Sequence, residues 1–299
     1  MSTTALTVPR ATFGTAFRAY LSLTKPWIVA LLLVTTVPAM MLAAGGWPST
    51  WLVIATLIGG SLSAGGANAV NCWYDRDIDA RMRRTRQRPL VTGVIHPAGA
   101  LLFGAGLGVT AFLWLASTTN ALAAVLAAMG YLFYVFVYTV WLKRRTPQNI
   151  VIGGAAGAFP PLVGWAAVTG RLDWPALVLF LLVFLWTPPH FWALALRLRD
   201  DYAGVGIPML PVVAGEAATR RQILLYSIAT AGASLLLVPL GGAGWVYALV
   251  ASIAGAWLIW EAFRLWRWPT RVSPIELYKY SLLYIAMVFG GLAVDVLAR

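Results

Sequence analysis

The chain has 299 residues, 60% of them hydrophobic and only 11% charged, with a mean hydropathy of +0.78. A water-soluble domain carries roughly 25% charged residues, so a soluble globule is excluded. The single cysteine, Cys72, excludes an intrachain disulfide and any CxxC redox or zinc site.

In chain order, residues 1–26 read as a polar cytoplasmic tail. Its first 20 residues are rich in Ser and Thr, contain Arg and lack acids, a faint likeness to a mitochondrial transit peptide. A short tail of a bacterial inner-membrane protein is the simpler reading, with the mitochondrial inner membrane second. A bilayer core about 30 Å thick takes roughly 20 apolar residues per helix. Stretches of that kind fall at 27–44, 51–73, 98–116, 120–141, 150–168, 174–194, 223–241, 243–261 and 278–297. The expectation is one all-α, polytopic domain of nine transmembrane helices over residues 27–297.

The connections alternate between short ones (45–50, 117–119, 169–173, around 242) and long polar ones (74–97, 142–149, 195–222, 262–277). Of the 22 Lys and Arg residues, 20 lie in the tail, the long connections and their flanks. Only Arg171 and Arg299 lie on the other side. That asymmetry is the positive-inside signature, and it predicts a cytoplasmic N-terminus and an external C-terminus. Topology therefore accounts for the net charge of +12, and no nucleic-acid partner is needed.

Half of the ten acidic residues fall in two segments on the cytoplasmic side. Asp75, Asp77 and Asp79 follow the second span within NAVNCWYDRDIDARMRRTRQRPL, and Asp200 and Asp201 follow the sixth within TPPHFWALALRLRDDYAGVGIPMLP. Asn71, Asp75 and Asp79 are four residues apart, and four residues turn a helix by about 400°. They therefore share one stripe, while Asp77 points away. Three oxygen donors on a stripe suit a hard divalent cation, and Mg²⁺ favours a few carboxylates plus substrate phosphate oxygens. A solvated acidic helix end paired with nearby arginines is the competing reading.

The two segments echo each other. Asp79 is followed ten residues later by Pro89 and four after that by Gly93; Asp201 is followed at the same distances by Pro211 and Gly215. In this register Arg197 stands opposite Asp75 and Ala193 opposite Asn71, so the second site reads as a degenerate copy with Asp201 and Asp200 as ligands. Lys25, Arg81, Arg83, Arg84, Arg86, Arg88, Lys143, Arg144 and Arg145 crowd the same surface. Interleaved with carboxylates, they suit Mg²⁺ and a polyanion such as diphosphate; most of them also serve simply to set topology. His96 reads as an interfacial residue. His190 follows Pro188 and Pro189 inside an apolar span flanked by Trp186, Phe191 and Trp192. A proline pair removes backbone donors and can bend a helix. An imidazole beside the space so opened could ligate haem iron or bond a substrate, or could simply pack.

The run from Asn71 to Asp79 followed by RTRQRPL resembles the first aspartate-rich motif of the UbiA-type intramembrane prenyltransferases. Within them WYDRDIDARMRRTRQRPL, LKRRTPQNIVIGGAAGAFPPLVGW and WTPPHFWALALRLRDDYAGVGIPMLPVV resemble the haem O synthase branch, and the likeness extends over all nine spans. It implies a nine-helix bundle around a central cavity open toward the membrane and capped by cytoplasmic loops. It also implies Mg²⁺-dependent transfer of farnesyl from farnesyl diphosphate to a vinyl group of haem b, with water, giving haem O and diphosphate. By position, Asn71, Asp75, Asp79 and Asp201 would be catalytic and, with Asp200, would bind the metal. Lys25, Arg84, Arg88, Lys143, Arg144 and Arg197 would hold diphosphate, and His190 would contact haem. Many relatives outside this branch carry DxxxD in the second motif, where this chain has Arg197, which would then meet the diphosphate directly. A haem–copper oxidase would use the product, with a haem A synthase as downstream partner. A prenyltransferase for a quinone precursor or chlorophyll, a secondary transporter, and a non-catalytic haem-handling protein are the other readings. The ligands gather at one face rather than at mid-membrane, which disfavours alternating access.

Overall fold

The computed structural model describes the backbone of residues 13–299; residues 1–12, with most of the transit-peptide-like stretch, lie outside the described residues. The chain is a multi-pass membrane protein. Among the described residues nine helices are long and apolar enough to cross a bilayer, matching the nine expected from composition. The elements in order are α1 (Phe13–Leu23), α2 (Pro26–Ala44), α3 (Thr50–Tyr74), the short α4 (Arg76–Asp79), α5 (Pro97–Thr118) and α6 (Ala121–Leu132). The last runs directly into a π-helical segment, Phe133–Leu142. Then come α7 (Asn149–Gly153), α8 (Ala155–Thr169), α9 (Trp174–Arg197), α10 (Arg199–Gly204), α11 (Leu210–Val213), α12 (Gly215–Leu235), α13 (Leu237–Gly241), α14 (Trp245–Arg267) and α15 (Pro274–Leu297).

Local chemistry sets many of the boundaries. Pro97 and Pro274 occupy the first turn, where the missing N–H is not needed. The His96 ring accepts from Ala98 N–H at 3.3 Å, so this histidine is a cap. Ser273 and Glu276 form a reciprocal capping box on α15. Three features depart from the expected spans. The tail carries a helix of its own, α1. The seventh span is longer than expected and begins at Gly215. And α9 is not broken at Pro188 or Pro189 but runs through both, since neighbouring helices in a membrane bundle can absorb the missing bonds.

The internal echo is structural as well. α3 ends at Tyr74 and α9 at Arg197, each separated by a single residue, Asp75 or Leu198, from a short helix that carries an acid, Asp79 on α4 and Asp201 on α10. Gly93 and Gly215 both adopt a left-handed backbone, φ 77° and 80°, so the matched spacings mark matched turns. In the first half, α3 and α5 cross closely; Trp114 of α5 ties them through a bond to Ala55 O, and Tyr131 of α6 bonds Gly104 O of α5. The largest core lies in the second half, where Tyr247, Tyr284 and Phe289 are fully buried among α9, α12, α14 and α15.

The α3–α5 crossing positions the site, because Asn71 lies little more than a turn beyond it. A Cβ on Gly66 would stand 2.7 Å from Gly104 O and 3.1 Å from Gly108 N, both rigid backbone. Gly66→Ala should therefore destabilise the bundle by about 1–3 kcal/mol, read as a lowered thermal midpoint in detergent. An unchanged midpoint would show that the crossing yields.

Candidate active site

The site begins where α3 stops. Asp75 N–H still donates to Asn71 O (2.9 Å) and Asp79 N–H to Asp75 O (2.8 Å), so helical spacing continues across the break. The stripe read from the sequence is thereby realised: Asn71, Asp75 and Asp79 are 3%, 1% and 4% exposed, whereas the Asp77 side chain is 54% exposed.

Basic side chains from three other segments meet this stripe. Lys25, between α1 and α2, donates to Asn71 Oδ1 at 2.9 Å. It is the one non-glycine residue with positive φ among the described residues, at 52°. A left-handed backbone costs an L-residue of order 1–3 kcal/mol and collects at functional sites. Burial pulls its ammonium below the usual lysine value. From beyond the π-helical segment, Lys143 binds Asp75. Arg144 lies 3.6 Å from Asp75 Oδ1, grips both Asp77 oxygens at 2.8 Å, and stacks its guanidinium 4.7 Å from the Tyr74 ring centre. Arg88 binds Asp79. Asn71 Nδ2 donates to Asp75 Oδ2 (2.8 Å) and Thr139 Oγ1 (3.2 Å).

Thr139 was not among the residues singled out in the sequence. The π-helical segment closes its bonds five residues apart, as Lys143 N to Tyr138 O (2.9 Å) shows, and Thr139 Oγ1 likewise bonds Tyr134 O. This register brings Thr139 to the site and stacks Tyr134 on Tyr138 at 5.4 Å. The only sequence signal is a lone polar residue in FYVFVYTVWL. Asn149 was also missed; it is fully buried, and its amide bonds Thr146 O and Lys143 O, holding the turn that presents Lys143.

The second acidic pair divides. Asp201 is half-buried beside Tyr202, and the charges of Arg84, Asp201 and Arg88 act on the Tyr202 phenol, which burial pushes above its usual pKa. Asp200 is exposed and lines a surface groove with Arg197, Arg199, Glu216 and Pro274. Among the described residues, no hydrogen bond or ion pair joins Arg197, Asp200 or Asp201 to the Asn71–Asp79 stripe. Nor do any three His, Cys, Asp or Glu side chains converge there as a ready metal cage. What the site does offer a cation is Asp75 Oδ1, which is buried without any hydrogen-bond partner; the Asn71 amide oxygen, on the same stripe, accepts from Lys25. An all-oxygen, partly open donor set of this kind fits Mg²⁺ that takes its remaining ligands from phosphate and water.

His190 lies elsewhere on α9, 4% exposed, between the rings of Trp186 (4.4 Å) and Tyr278 (4.6 Å), with Nδ1 2.7 Å from Ser281 Oγ.

A membrane bundle whose helix ends bury carboxylates among cations is built to handle a charged group at the lipid boundary. Residues 32–287 match the UbiA prenyltransferase family, and the chain belongs to it. The chain is 52% identical over 293 residues to the protoheme IX farnesyltransferase of Clavibacter sepedonicus, covering 96% of each chain. It is 49% identical over 305 residues to that of Streptomyces avermitilis, covering both completely, and 53% identical over 289 residues to that of Gloeobacter violaceus, covering 96% of this chain and 94% of the relative. Among solved structures it resembles a digeranylgeranylglyceryl phosphate synthase, with a TM-score of 0.78 at 18% identity over 95% of this chain and 99% of that one. It also resembles a UbiA homologue from Aeropyrum pernix K1, with a TM-score of 0.72 at 20% identity over 90% and 98%. A homologue from Archaeoglobus fulgidus bound to GPP and Mg²⁺ gives 0.62 at 17% identity over 94% and 100%. At such identities the structures establish the fold.

The hydrogen bonds from Arg144 hold the Asp77 carboxyl below the usual carboxylate range. A depressed folded-state value means that the stabilisation is complete above the unfolded pKa of about 3.9 and is lost as pH falls through the lowered one. The melting difference between the native chain and Asp77→Asn should be small, as for exposed pairs, constant from pH 7 to 5, and should shrink only as pH falls below the unfolded value and through the lowered one. A difference that already fades between pH 7 and 5 would assign the effect to another group.

Proposed function

We propose that this chain transfers the farnesyl group of farnesyl diphosphate to a vinyl group of haem b, with addition of water, giving haem O and diphosphate. Near-complete alignment at about half identity with several protoheme IX farnesyltransferases carries this reading; the buried stripe supports it chemically. Residues 27–297 act as a single domain in a bacterial inner membrane, with the N-terminus and the site on the cytoplasmic side.

Asn71, Asp75 and Asp79 would hold Mg²⁺ from one side and Asp201, with Asp200 beside it, from the other. When bound, the ion neutralises charge on the departing diphosphate. Lys25, Arg84, Arg88, Lys143, Arg144 and Arg197 bind diphosphate oxygens. Arg88, Lys143 and Arg144 now sit on carboxylates, so for these three substrate binding exchanges one set of ion pairs for another rather than exposing unpaired charge. The C1–O bond of the farnesyl group breaks and its electron pair leaves with diphosphate. The vinyl π electrons then form the new C–C bond, and water adds to the resulting cation and releases a proton. The Tyr134–Tyr138 stack presents π faces near Asp75 and Lys143, and such faces attract a cation. His190 contacts the haem. An enzyme that further oxidises the product, a haem A synthase, would follow.

The direct test is to incubate the purified protein with haem b, farnesyl diphosphate and Mg²⁺, with an EDTA control, and to seek by mass spectrometry a haem heavier by one farnesyl group plus one hydroxyl. Prenylation of a quinone precursor instead would overturn the substrate assignment. Asp75→Asn and Asp79→Asn should each lower turnover by about 10²-fold or more in protein that still folds and inserts, with a lowered melting point, while Asp77→Asn stays within a few-fold. Retained turnover in Asp75→Asn would remove the metal role.

A further inference from the structure

Ser281 Oγ makes two short contacts, 2.7 Å to Tyr278 O in its own helix and 2.7 Å to His190 Nδ1 across the α9–α15 seam. A serine hydroxyl has one proton. The Tyr278 carbonyl can only accept, so the proton must lie on that contact. Both contacts are then hydrogen bonds only if His190 carries its proton on Nδ1 and donates it to Ser281. In a neutral imidazole this leaves the lone pair on Nε2, which has no hydrogen-bond partner among the described residues. The same stretch of α15 fixes the ring in other ways. Tyr278 stacks on one face of the imidazole, Trp186 stacks on the other, and Trp186 Nε1 is itself tied to Ser281 O at 2.8 Å. Tautomer and ring plane are thus both set by α15.

We propose that Ser281 is a positioning residue that locks His190 in the Nδ1–H form, so that Nε2 is presented as the ligand to the iron of the porphyrin substrate. This rests on the reading of His190 as the haem contact. A hydrogen bond on the distal ring nitrogen orients a metal-ligating histidine and raises its basicity, and removing such a partner typically costs 10–100-fold in metal affinity.

The test uses the full chain in nanodiscs, titrated with ferrous haem b. It reads the dissociation constant and the iron–histidine stretching band in resonance Raman. Ser281→Ala should weaken haem binding about 10–100-fold and shift the band to lower wavenumber, leaving farnesyl diphosphate affinity unchanged. Ser281→Thr, which keeps the hydroxyl, should restore both haem readouts. Should Ser281→Ala not fold, Ser281→Cys keeps the volume with a weaker acceptor and should shift the band in the same direction. Native band and affinity in the Ala or Cys variant, with both lost in His190→Ala, would overturn the role of Ser281 and leave His190 standing. Native band and affinity in His190→Ala would overturn the haem contact and the proposal together.

Discussion

An ionised carboxylate withdrawn from water must be answered by a cation, and the end of this bundle where α3 stops is organised around that requirement. Asp75 and Asp79 are almost wholly buried. Stripping one partner from such a pair leaves an uncompensated buried charge, at a cost of about 3–5 kcal/mol. Their cations come from segments far apart in sequence: Arg88 after α4, and Lys143 and Arg144 after the π-helical segment. Lys25, before α2, reaches the same stripe through Asn71. Each loop is therefore pinned to the end of α3 by electrostatics as much as by packing.

On the proposed function, that arrangement lets the site be both buried and reactive. Cations already in place need little reorganisation when an anionic substrate arrives, and preorganised charge in a water-poor site acts with more force than the same charge in bulk water. The unbonded Asp75 Oδ1 and the left-handed Lys25 are the two places where local stability gives way to this purpose. One lies on the stripe and the other bonds to it through Asn71.

Much of this was legible in the sequence, because spans follow from length and apolarity, and the stripe from a spacing of four. The echo between Asp79–Gly93 and Asp201–Gly215 was visible as spacing, and the matching left-handed glycines give it a physical basis. Other features depend on tertiary context. Asp200 and Asp201 are neighbours in sequence, yet one faces a surface groove and the other lies half-buried beside Tyr202. α9 stays helical through Pro188 and Pro189, with packing on several sides of it. The contributions of Thr139 and Ser281 could not be read, because one depends on a helical register and the other on which helix lies across the seam.

The π-helical segment has an implication for descent. Ten residues closing i to i+5 bonds carry more chain per turn than an α-helix does, and such segments recur at functional sites. Insertions and deletions are ordinarily tolerated in loops, but here a length change of one residue inside a membrane span would alter the azimuth of everything that follows. The pairing of Lys143 with Asp75 is thus a constraint on residue count between 133 and 142 as well as on residue identity. A lineage could exchange side chains along this stretch far more freely than it could gain or lose one.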